Sequence, residues 1–168
     1  MPLRIQRVGG AGQQPGQALA VGVVVGRQQR GPRVAALEGG AAAVALASGQ
    51  AASAFAIQNL ARAGDNIVSS TDLYGGTWNL FANTLKDQGI EVRFVDPIDP
   101  DNFLRATDAR TRAYYAETLP NPKLTVFPIA EVAAIGRRLG IPLIVDNTAA
   151  PILAQPLKAV GIDGKYDV

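Results

Sequence analysis

The sequence predicts an α/β domain built on a largely parallel sheet flanked by helices. From residue 33 onward, strand-like and helix-like segments alternate along the chain. The three longest helical segments each run out into a glycine, Gly64, Gly89 or Gly140, the residue type preferred just past a helix end. A length of 168 residues with 48% apolar and 18% charged residues is enough for one domain with a packed core.

The elements follow in order. Residues 51–62 are alanine-rich and helical in composition, with Gly64 as the stop. Residues 66–70, NIVSS, read as a short strand. Residues 76–88 read as a helix with Trp78, Leu80, Phe81 and Leu85 on its apolar side and Gly89 as its stop. Residues 90–95 are β-rich, and the Asp-Pro pairs at Asp96 and Asp99 turn the chain afterwards. A short helix over 101–106, a strand over 111–116, a helix over 129–139 closed by Gly140, and an apolar strand over 142–145 complete the alternation.

Charge divides the chain in two. Residues 1–33 carry five arginines and no acid, which leaves 11 basic against 14 acidic residues in the remainder. This N-terminal arm also holds seven of the 18 glycines, six glutamines and no aromatic residue. Its glycines break both the helical and the strand period, and only 18–25 passes for a short strand. The expectation is a poorly ordered basic arm; a GC-rich gene read out of frame would give a similar composition. Nucleic acid is not the expected partner, because the arginines are neither interleaved with aromatics nor massed on one face.

The chain contains no cysteine and no histidine. Disulfide scaffolds, Cys/His zinc sites, thiol nucleophiles and imidazole bases are thereby excluded. Carboxylates, hydroxyls, lysines, backbone amides or a bound cofactor must supply any chemistry. No apolar run approaches the roughly 18 residues of a membrane span, and no signal peptide is apparent. A soluble, cytoplasmic protein is expected.

In parallel α/β sheets, ligands bind beyond the carboxyl ends of the strands. Chemistry-bearing residues gather in those positions here. Tyr74-Gly75-Gly76-Thr77 follows the first predicted strand, Glu117 through Pro122 (ETLPNP) the third, and Asp146-Asn147-Thr148 the fourth, while Ser48-Gly49-Gln50 opens the first long helix. Helix-initial amides at Gly49 and Gln50 suit a phosphate. Tyr74 offers a flat aromatic face, and Asp146 at a strand end needs a cation or a ring N–H as partner. Together these groups describe a site for pyridoxal 5'-phosphate. Each also has a plainer reading: Gly49 as a tight helix start, Tyr74 as a packed loop residue, Asp146-Asn147-Thr148 as a turn or N-cap, and Glu117 as a surface or supporting carboxylate.

The runs LEGGAAAVALASGQAA at 37–52, YGGT at 74–77, ETLPNP at 117–122 and VDNT at 145–148 resemble the Cys/Met-metabolism family of pyridoxal-phosphate enzymes, and within it the O-acetylhomoserine sulfhydrylase branch. The resemblance covers about residues 33–168. It implies the large domain of a fold-type I transferase, with Gly49 and Gln50 on the cofactor phosphate, Tyr74 stacked on the pyridine ring, Asp146 on its nitrogen and Thr148 against the ring. Asn121 is implied to hold the substrate carboxylate or the cofactor's phenolic oxygen. The implied reaction replaces the acetate of O-acetylhomoserine by sulfide to give homocysteine, in homo-oligomeric enzymes.

Three family features are missing, one of them the C-terminal-domain arginine that the resemblance implies for the substrate carboxylate. The lysine of a Ser-x-Thr-Lys motif, which carries the cofactor, has no counterpart, and Lys86, Lys123, Lys158 and Lys165 lie in no such motif. The Tyr-x-Arg pair expected upstream of residue 37 is absent. The expectation is therefore an arm over 1–33 followed, over 34–168, by the N-terminal part of the cofactor-binding domain. That part stops short of the Schiff-base lysine, and the chain alone is expected to be inactive.

Overall fold

The computed structural model describes Val24–Val25 and residues 43–149. The rest of the 1–33 arm, residues 37–42 of the LEGG run, Lys158, Lys165 and the predicted truncation lie outside the described residues.

Strand β1 (Val24–Val25) pairs in parallel with β2 (Ala45–Leu46). Helix α1 (Gly49–Leu60), β3 (Asn66–Ser70), α2 (Gly75–Asn79) with a π-helical continuation over Leu80–Leu85, β4 (Glu91–Val95), α3 (Asp101–Arg105), β5 (Thr111–Glu117), α4 (Ile129–Leu139) and β6 (Leu143–Asp146) follow. The main sheet has the order β4-β3-β5-β6 and every pairing is parallel, the α/β class the alternation predicts.

Side-chain alternation divides the core between the two faces of this sheet. Ile67, Ala113, Tyr115 and Ile144 point to one face, where Ala56 and Ile57 of α1 and Phe81 and Leu85 of the π-helical segment cover them. Val68, Tyr114, Ala116, Leu143 and Val145 point to the other, against Phe103 of α3 and Val132 and Ala133 of α4. Burying each such large apolar side chain contributes roughly 1.5–3 kcal/mol. The inward residues of β5 and β6 are near-continuous because both faces are covered.

Local structure departs from the sequence expectation in three places. Helix α1 starts two residues early, at Gly49, because the Ser48 hydroxyl caps it by accepting from the Ala51 N–H at 3.1 Å. Its end is capped by Ala61 in extended conformation; Gly64, with φ of 91°, turns the following loop and is not the helix cap. The single helix predicted over 76–88 widens into π geometry at Leu80, and Trp78, expected in its apolar face, is 44% exposed. It stacks on Phe94 of β4, with centroids 4.7 Å apart and planes 6° from parallel. Gly140 caps α4 with φ of 70°, as predicted.

Candidate active site

Parity along the strands decides which polar groups share a side. Glu117 lies two residues beyond Tyr115 and Asp146 two beyond Ile144, so both carboxylates project toward the face covered by α1 and the π-helical segment. They are register partners across β5 and β6. Helix α1 is pinned to the same face one turn from its start, where Ser53 Oγ lies 2.9 Å from the buried Tyr115 hydroxyl. Gly49 and Asp146 therefore share one side of the sheet.

The start of α1 and the loop after β3 are joined directly. With its amide oriented to satisfy both groups, Gln50 donates to the Gly76 carbonyl at 3.1 Å and accepts from the Thr77 N–H at 3.3 Å. Gly76 has a steric role, since a Cβ there would lie 2.6 Å from Cε1 of Tyr74. A Cβ at Gly49 would meet nothing within 4 Å. Among the described residues nothing packs against a side chain at position 49, whereas one at position 76 would displace the Tyr74 ring. Beyond the Ser48 cap, the Gly49 and Gln50 amides have no acceptor among the described residues.

Tyr74 is 54% exposed, its ring alongside Gly76. Oδ1 of Asp146 accepts from the Thr148 N–H at 2.9 Å and the Thr148 hydroxyl at 2.5 Å. Asp-Asn-Thr thus forms the turn its plainer reading describes, with Thr148 spent on orienting Asp146. The other Asp146 oxygen has no donor among the described residues and remains able to accept one. Asn121 is exposed on the loop after β5, preceding a cis peptide bond to Pro122.

Sequence reasoning set Glu117 aside, yet it is buried in this rim and bonded to the backbone of Tyr74. It is 7% exposed, and its Oε1 accepts from the Tyr74 N–H at 2.8 Å. Burial, and after it the nearby Asp146 charge, pushes its carboxyl up, while the bond from the Tyr74 N–H holds it down. The available signal was its place directly after an apolar strand, where parallel sheets present ligand-facing groups. Tyr115 is pushed far up by burial and by the Asp146 charge, so it is a neutral phenol and not a base. A cavity of about 250 Å³ opens on the other flank of Glu117, against Ser70, Ile98 and Phe127, and does not include Tyr74, Gly49 or Asp146.

Lys123 pairs with buried Asp72 at 2.5 Å, clasping the loop after β5 to the loop before Tyr74. Lys86 lies at the far end of the π-helical segment, away from the rim. No group of acidic residues among those described is arranged to hold a metal ion. No described helix is long and apolar enough to cross a membrane.

Residues 27–164 match the profile of the Cys/Met metabolism PLP-dependent enzymes, PLP being pyridoxal 5'-phosphate. The chain belongs to this family. It is 54% identical over 127 residues to the O-acetyl-L-homoserine sulfhydrylase of Leptospira meyeri and 52% identical over 128 residues to the homocysteine/cysteine synthase of Saccharomyces cerevisiae. Each alignment covers 75% of this chain and 29% of the relative, so the chain spans under a third of the length of the curated relatives it matches. A Campylobacter jejuni structure holding N'-pyridoxyl-lysine-5'-monophosphate superposes with a TM-score of 0.75 at 41% identity, covering 77% of this chain and 32% of that one. The O-acetylhomoserine sulfhydrylase of Wolinella succinogenes superposes with a TM-score of 0.71, also at 41% identity, over 76% of this chain and 37% of that one.

Proposed function

We propose that this chain forms the phosphate-and-ring cradle of a pyridoxal-phosphate-dependent O-acetylhomoserine sulfhydrylase, the enzyme type that replaces acetate by sulfide to make homocysteine. The observation that carries the proposal is the Ser53–Tyr115 bond, which holds the start of α1 on the face toward which Asp146 points.

The chemistry of the donor set fits the group. Gly49, with no side chain and open space before it, and Gln50 would bring helix-initial N–H groups to the phosphate. Tyr74 would stack on the ring. Asp146, oriented by Thr148 through one oxygen, would take the ring N–H with the other and keep it protonated. Asn121 would meet the substrate carboxylate or the phenolic oxygen. Pyridoxal phosphate, when bound, supplies an electron sink for charge formed at the substrate α-carbon.

This assignment gives the chain's own residues binding and orienting tasks. Tyr115, a neutral phenol, moves no proton; Lys123 is committed to Asp72. The residues named above bind and orient the cofactor, and no lysine of this sequence lies in a Ser-x-Thr-Lys motif. A cytoplasmic location and homo-oligomeric assembly belong to the same reading. A second reading, cystathionine synthase/lyase-type activity in a full-length enzyme, draws on the cystathionine gamma-lyase of Lactobacillus plantarum, 36% identical with a TM-score of 0.71 over 75% of this chain and 33% of that one.

Titration of the chain with pyridoxal 5'-phosphate and with pyridoxal, followed by the fluorescence of its single tryptophan, tests the cradle. Binding of the phosphorylated form at least about tenfold tighter, and its weakening in D146N, is expected. Equal affinity for the two forms refutes it.

A further inference from the structure

Three chain segments remote in sequence meet at one buried carboxylate. Glu117 ends β5, in register with Asp146 of β6. Its Oε1 accepts from the backbone N–H of Tyr74 at 2.8 Å, 43 residues earlier. Leaving a carboxylate only 7% exposed beside a second one is costly unless a donor offsets it.

The consequence is geometric. Tyr74 has no side-chain cap at the start of α2, and its ring is largely exposed. What sets the direction in which that ring leaves the backbone is its anchored N–H on one side and the space left by Gly76 on the other.

We infer that Glu117 is a positioning residue: its side chain fixes the Tyr74 backbone, and with it the aromatic face, over the site defined by Gly49 and Asp146. This inference rests on the cradle reading for its functional meaning, but its geometric content stands apart from the cofactor.

Two variants of the full 168-residue chain separate reach from charge. E117D keeps the charge and shortens the arm by one methylene; E117Q keeps the reach and one acceptor oxygen. Amide hydrogen exchange at Tyr74 reads the bond directly. Protection should fall about tenfold or more in E117D, where the shortened arm loses the bond, and stay within about threefold of wild type in E117Q, where the amide oxygen keeps an acceptor in reach. Affinity for pyridoxal 5'-phosphate, read by tryptophan fluorescence, should follow the same order. Unchanged Tyr74 protection in E117D, or equal loss in both variants, overturns the inference. Should wild type bind no cofactor, the cradle reading fails, and the Tyr74 amide still decides the role of Glu117.

Discussion

The hydroxyls of Ser53 and Tyr115 lie 2.9 Å apart in the buried seam between α1 and the sheet. Neither has water to fall back on, so deleting one strands the other. S53A and Y115F are each expected to cost about 1–3 kcal/mol, and the double variant less than their sum. Urea unfolding of the three variants measures this; additive losses would mean that the bond contributes nothing to holding α1.

The two glycines after Tyr74 should respond differently. An alanine methyl at Gly76 meets the Tyr74 ring at 2.6 Å, whereas at Gly75 it meets nothing within 4 Å. G76A should displace the ring and weaken pyridoxal-phosphate binding by about tenfold, with G75A close to wild type. Fluorescence titration of both variants provides the check.

Stability should carry a pH signature of Glu117. Burial raises its carboxyl above the ordinary 4.5, so between 4.5 and the native value the folded state binds more protons than the unfolded one. Its contribution is complete below 4.5 and is lost as pH rises through the native value. E117Q lacks this titration, so its urea midpoint should gain on wild type from pH 4 to pH 7. A constant difference would show that Glu117 titrates normally.

The Lys123–Asp72 pair is asymmetric, with side chains 64% and 6% exposed. Removing the lysine leaves a buried charge, whereas removing the acid frees a lysine already in water. K123M should therefore lower the unfolding midpoint more than D72N does. The hydrogen bond from Lys123 to Asp72, more than their through-space attraction, raises the amine above 10.5. The pair's stabilisation is full below that pH and lost as pH rises through the native value, so wild type should lose its advantage over K123M in strong alkali. Thermal melts at pH 7 and pH 11 provide the comparison.

Much of the fold was legible because its signals are local. Residues 66–70 and 129–139 match β3 and α4, since a short β-rich run and a glycine-closed amphipathic helix depend on near neighbours. The π-helical widening at Leu80 and the Trp78 stack on Phe94 were not legible, because a distant strand decides them.

By itself the chain of residues determined an α/β parallel sheet, the family, and which loops carry Gly49, Tyr74, Asn121 and Asp146. Tertiary structure alone decided that Glu117 holds the Tyr74 backbone and that Thr148 orients Asp146. The period of two tells which side of a strand a residue faces, but only strand register and helix packing tell which remote groups meet there.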